Sequence, residues 1–244
     1  MSIYGTVDDI LNRVATEVGF DPATDPLTDK NKAFTQLRYL MNSAAEELID
    51  MAAWTELQKE HSITTAAVDT GIYDLPTDFK YMIPQTGWER TNDNAMLGPL
   101  SPQDWAYLKG RDLASTTIYA SFRLKQRQYY IFPNDPVIAD LAIYFEYMSD
   151  AWLQDASEST TYYNEIQAGD NICLLPKTLM IKFLKCKYLE AKGFDSTKAR
   201  QDFAVNYVSA TGNDGSAPIV NAGGERGFPY LNMYRNTPDT GYGS

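Results

Sequence analysis

The residues that most constrain this chain are Phe34, Leu37, Met41, Ala44, Leu48 and Met51, which recur at alternating spacings of three and four while Asp, Glu, Lys and Arg fall off the stripe. That period puts one apolar face on a long helix, roughly residues 30–57. Burying each large side chain on it is worth about 1.5–3 kcal/mol, so the helix needs a partner surface. Another helix of the same chain would serve, and so would a neighbouring subunit.

Helical signals recur at both ends of the sequence. Thr6 reads as an N-cap with Asp9 three residues on, and Ile10, Leu11, Val14 and Val18 form one stripe, which predicts a helix over 6–18 that Gly19 ends. The loop Asp21–Asp29 follows. Near the C-terminus Pro176 opens a helix that carries Leu179, Phe183, Cys186 and Glu190 along one side, with Met180, Leu184 and Tyr188 widening the apolar face. Gly193 stops it, and Asp195-Ser196 caps a last helix to about residue 210, antiparallel to the one before.

Between these helices the period changes to two. Ile63, Val68, Ile72 and Tyr73 surround the turn Asp69-Thr70-Gly71, and residues 81–89 read as an edge strand because Pro84 lacks a donor. Ser101-Pro102-Gln103-Asp104 starts a short helix through Trp105 and Leu108 to Gly110. Strands follow at 119–125 and 128–132 about a turn at Gln126-Arg127, and then at 141–148 after the break Pro133–Pro136. In that last run Leu141, Ile143, Phe145 and Tyr147 face one way and Ala142, Tyr144, Glu146 and Met148 the other. Residues 155–168 read as a polar linker.

The resulting expectation is an α+β chain: an antiparallel helical bundle with an inserted antiparallel β domain and an extended C-terminal arm. Its parts are 1–58 and 151–212 for the helical body, 59–150 for the β-rich insertion and 213–244 for the arm. The arm is rich in Gly, Asn, Pro, Ser and Thr, which favour no regular structure, yet it carries Ile219, Val220, Phe228, Tyr230, Leu231, Met233 and Tyr234. A solvating tail has little use for such groups. They read as anchors of a docking arm that orders on a partner, the alternative being a strap across its own domain.

Composition narrows the chemistry. With 21 Lys and Arg against 32 Asp and Glu the net charge is −11, which argues against a protein that grips phosphates. No run of about 18 apolar residues predicts a membrane span, and the N-terminus lacks the basic and apolar segments of a secretory signal. Cys173 and Cys186 form no disulfide framework, so synthesis in a reducing cytoplasm is expected. His61 is the single histidine and reads as a surface or capping residue. Phosphate-binding, serine-hydrolase and zinc-protease motifs are missing from the sequence. Of the acidic clusters, Glu46/Glu47/Asp50 reads as a solvated helix face, and of Asp74 and Asp78 the latter reads as a turn cap. No catalytic residue, metal ligand or cofactor is expected.

Several short pieces, in order, resemble one family. Trp54-Thr55-Glu56-Leu57, Ile63-Thr64-Thr65, and Tyr73-Asp74-Leu75-Pro76-Thr77-Asp78-Phe79 are similar to the W-x-x-L, strand, Y-x-L-P-x-D-F pattern of tailed-phage head-to-tail adaptors, the tail accessory factor or tail tubular protein A-like proteins. Trp88, Leu100-Ser101-Pro102 with Trp105, Tyr129–Asn134, Leu141–Tyr147 and Asp170–Pro176 continue it, over about residues 6–212. The resemblance implies a structural, non-enzymatic virion protein of the tail or neck that sits below the portal ring, joins it to a tail or nozzle protein and lets DNA through without specific binding. It implies about twelve copies, whose summed formal charge of roughly −130 opposes assembly of free subunits and calls for a template such as the portal. An acidic lumen would also keep DNA from sticking. A tail-associated cell-wall hydrolase and a host-binding tail component are the alternative functions.

Overall fold

The computed structural model describes residues 4–66, 70–110, 121–132 and 140–214. In chain order it holds β1 (Gly5–Thr6), α1 (Val7–Glu17), α2 (Lys32–Met51), a 3-10 turn (Thr55–Leu57), β2 (Gln58–Thr64), β3 (Ile72–Asp74), β4 (Phe79–Met82), β5 (Trp88–Glu89) and β6 (Asn94–Ala95). Then follow α3 (Pro102–Gly110), β7 (Ser121–Lys125), β8 (Gln128–Phe132), β9 (Ala142–Ser149), β10 (Leu153–Gln154), β11 (Tyr162–Tyr163), β12 (Ile172–Cys173), α4 (Lys177–Lys192) and α5 (Thr197–Asp214). Every strand pair is antiparallel, and the fold is α+β.

Local chemistry sets the helix ends. The Thr6 hydroxyl accepts from the Asp9 N–H at 3.3 Å, satisfying one of the free donors that begin α1. The Asp9 carboxylate does not return the bond and pairs with Lys177 instead. At the other end of the chain Gly193 takes φ 73° and closes α4, a conformation that suits glycine.

The long helix ends earlier than its apolar period suggests. Ala52 is extended, and this lets Trp54 fold back so that its indole Nε1 donates to the Leu48 carbonyl at 2.8 Å, satisfying a terminal acceptor of α2. Met51, expected on the buried stripe, is 46% exposed, while Ala45 and Ile49 are buried beside Leu48.

Two apolar clusters form. In one, Leu11 and Val14 of α1, Leu37, Met41 and Leu48 of α2, and Met180 and Leu184 of α4 close around Trp54 and Trp152. α5 packs on α4 through Phe203, whose ring stacks on Phe183 with centroids 4.4 Å apart. In the other, Phe122, Tyr129 and Phe145 stack face to face at 4.7 and 5.3 Å, with Ile63, Ile131, Ile143 and Tyr147 around them.

β9 belongs to both clusters. β2 runs along one side of it for its full length, while β4 and β5 pair with the other side. Ile143, Phe145 and Tyr147 enter the second cluster, as the period-two reading requires. Met148, on the opposite face, is also buried, because there the strand reaches the helices and Met148 joins their core.

Three further expectations about strand and helix extent are corrected. The single strand over 81–89 is two, β4 and β5, since Pro84 and Gln85 (φ 64°) turn the chain away and the Thr86 hydroxyl bonds to the β9 edge in their place. The linker over 155–168 contains β11, and β1, β12, β10 and β11 make a separate four-stranded sheet whose short strands carry no periodic signal. The last helix runs to Asp214 rather than about 210. The hairpin turn at Gln126-Arg127 is as expected, with φ of 53° and 59°, and so is α3, where the Ser101 hydroxyl accepts from the Asp104 N–H at 3.1 Å. Val68 and Asp69, Tyr119 and the Pro133–Pro136 break lie outside the described residues.

Candidate functional site

The last described residue is held in place by the turn before β2. Asp214 Oδ2 accepts from the Thr55 N–H at 2.8 Å, its Oδ1 accepts from the Thr55 hydroxyl at 2.9 Å, and two turns back the Tyr207 hydroxyl donates to the Met51 carbonyl at 2.8 Å. Tyr4 shares this corner: burial, a hydrogen bond to Glu56 and the nearby Asp214 charge all push its phenol above the usual range. α5 is thereby fastened to the end of α2.

A second constellation joins the two clusters. Asp78 accepts from Lys59 Nζ at 2.7 Å, from the Ser149 hydroxyl at 2.7 Å and from the Tyr147 hydroxyl at 3.0 Å, and its backbone carbonyl accepts from the Asp150 N–H at 2.9 Å. Burial raises the Asp78 carboxyl, but the bonds from Lys59 and Ser149, the Lys59 charge and the Tyr147 bond outweigh it, and the group lies below the ordinary carboxylate range. Lys59 Nζ also lies 3.7 Å from the centre of the Tyr162 ring. Asp78 is therefore an ionic hub rather than the turn cap expected of it, and it pins the Leu75–Asp78 loop to β2 and to the end of β9.

Against known families, residues 5–213 match the model of the SU10 adaptor protein. The chain belongs to the SU10 adaptor protein family. It is thus a phage head-to-tail adaptor and a structural component of the virion, the family that the order of motifs resembles. No curated protein matches it.

In this adaptor the sequence-singled groups fall into ordinary surroundings. His61 is half-buried with its ring edge-on to Phe145 at 5.4 Å, and burial lowers its pKa against the pull of Asp78. Both thiols are buried; burial pushes Cys173 up to about 12, and burial with the Glu190 hydrogen bond pushes Cys186 up to about 11. Glu46, Glu47 and Asp50 lie on the exposed face of α2, where Glu47 pairs with Lys187 at 2.5 Å and Asp50 with Lys80. Asp74 accepts from Gln128 at 3.0 Å. No group of three or more His, Cys, Asp or Glu among the described residues is placed to hold a metal, and no described helix is long and apolar enough to cross a membrane.

Ile219, Val220, Phe228, Tyr230, Leu231, Met233 and Tyr234 of the expected docking arm lie outside the described residues. The corner from which they leave was not singled out in the sequence. Trp54-Thr55 stood among the family motifs, but nothing local joins it to Asp214, 159 residues away.

Proposed function

We propose that the adaptor assembles as a ring of about twelve copies below the portal ring, through a repeated head-to-tail contact that closes on itself. It connects portal to tail or nozzle protein while DNA passes through an acidic channel. In this reading 1–58 with 151–212 form the ring body, 59–150 the outward or tail-facing insertion, and 213–244 the arm that grips the portal through Ile219, Val220, Phe228, Tyr230, Leu231, Met233 and Tyr234. The family match over residues 5–213 carries the reading. Charge supports the need for a template: subunits of net charge −11 repel one another until a preformed ring gathers them.

Native mass of the full chain tests it, alone and mixed with its portal ring, beside a variant with Phe228, Tyr230, Leu231 and Met233 changed to serine. A monomer that forms rings only on the portal, and a variant that does not, is the expected result. Absence of any portal complex with the unaltered chain would overturn it.

A further inference from the structure

Strand β2 is paired on one side and open on the other. From Gln58 to Thr64 it follows β9 residue by residue, and no strand among the described residues pairs with its second edge. The ladder's phase is fixed at Thr65, whose N–H donates to the Leu141 carbonyl at 3.0 Å. Antiparallel ladders alternate, so Lys59, His61 and Ile63 turn their backbone groups toward β9, while Glu60, Ser62 and Thr64 turn theirs outward; the Gln58 N–H donates to the Thr55 carbonyl of the turn before it. The far side of β9 gives the same phase, since Ala142 and Glu146 bond there to Arg90, Thr91, Ile83 and Thr86.

An open edge of this kind is a template for one more strand. β2 has no proline and no bulge, and its one lysine is engaged with Asp78. Its two faces differ: Gln58, Glu60, Ser62 and Thr64 are exposed, whereas Ile63 is buried and Lys59 and His61 half-buried.

Two observations select the occupant. Asp214, the last described residue, is bonded to Thr55 in the turn leading into β2, so the described chain ends next to the start of this strand. Within residues 215–244, between Pro229 and Pro238, Tyr230-Leu231-Asn232-Met233-Tyr234 alternates aliphatic with polar or aromatic residues, and Arg235 follows. Laid along β2, that run sets Leu231 and Met233 beside His61 and Ile63 and leaves Tyr230, Asn232 and Tyr234 beside the exposed row. Residues 215–229 reach about 50 Å when extended, more than the ~23 Å length of β2, so either register is within range. Mutual repulsion at net charge −11 disfavours a second copy on the same edge.

We propose that in the free protein residues 230–235 add to the open edge of β2 of their own chain, and that the portal, on the adaptor reading above, withdraws them. The arm then has two seats, and the edge is covered until assembly.

The test is residue-resolved amide exchange on the full-length protein at two concentrations, comparing wild type with Leu231→Asp/Met233→Asp. Glu60, Ser62 and Thr64 are expected to exchange at least tenfold more slowly in wild type than in the variant, with Gln58, Lys59, His61 and Ile63, whose amides are bonded within the fold, alike in both. Equal exchange in the two proteins overturns the inference, as does protection that the variant keeps or that grows with concentration, which would place a second copy on the edge. Adding the portal ring then separates the two readings. Loss of the slow exchange on binding supports withdrawal, and retained protection on a bound portal refutes it. If the ring never binds while the edge is protected, the adaptor reading fails and the strap stands.

Discussion

Glu60 and Glu146 face one another directly across the β2–β9 ladder. Like charges in that position repel, and the structure answers with Arg90, which pairs with Glu60 and lies 3.9 Å from the centre of the Tyr144 ring. Replacing Arg90 with alanine is expected to lower stability by about 0.5–1 kcal/mol in low salt, since the groups are partly exposed. Denaturant melts at low and at 1 M salt should show the loss shrinking with screening, and Glu60→Gln in the Arg90→Ala background should recover most of it.

The Asp78 hub should be visible in the pH dependence of stability. Its folded pKa lies below the unfolded one, so its contribution is complete above the unfolded value of about 3.9 and is lost as pH falls through the lower folded value. Asp78→Asn leaves Lys59 half-buried without its counterion and is expected to cost about 2–3 kcal/mol at pH 7. The gap between variant and wild type should close in denaturation curves taken toward pH 2.

Asp150 works in the opposite sense. Burial and the Asp78 charge raise its pKa, against Arg127 and Lys80, and its Oδ1 is buried without a hydrogen-bond donor among the described residues. Ionising it costs stability at neutral pH, and that cost disappears as pH falls through its raised value. Asp150→Asn is expected to stabilise the protein at pH 7 and to have no effect at low pH; a destabilised variant at pH 7 would refute this account.

Tyr129 is fully buried between Phe122 and Phe145, and its hydroxyl has no partner among the described residues. Burial drives its pKa well above the usual value. Tyr129→Phe keeps the stack and removes the unsatisfied group, and is expected to raise unfolding free energy by about 1 kcal/mol in urea titration.

Gly193 has φ 73°, with nothing within 4 Å of where a Cβ would stand. The cost of Gly193→Ala is therefore conformational alone, about 1 kcal/mol, and no steric rearrangement should appear in the spectra of the α4–α5 hairpin.

Much of this adaptor was legible in the sequence wherever the cause lies within a few residues. The spacing from Phe34 to Leu48, the Thr6 and Ser101 caps, the stop at Gly193, the turn at Gln126-Arg127 and the alternation of β9 all arise from local backbone geometry and the burial of one face. The family, too, could be read from the order of short motifs. The candidate site was legible only in part: the motif residues Thr55 and Asp78 were visible, but not what they bind.

Those partners were decided by the tertiary structure alone. Period two says that Tyr147 and Met148 point apart, but only the packed molecule shows Tyr147 entering the aromatic stack and Met148 the helical core. Likewise it takes the register of β2 on β9 to set Lys59 beside Tyr147 and Asp78, and the lie of α5 on α4 to bring Asp214 to Thr55. Propensity and period act between neighbours in sequence. Register, burial on the second face of a strand, and ion pairing depend on which distant segments arrive alongside, and that is settled by the packing of the whole chain.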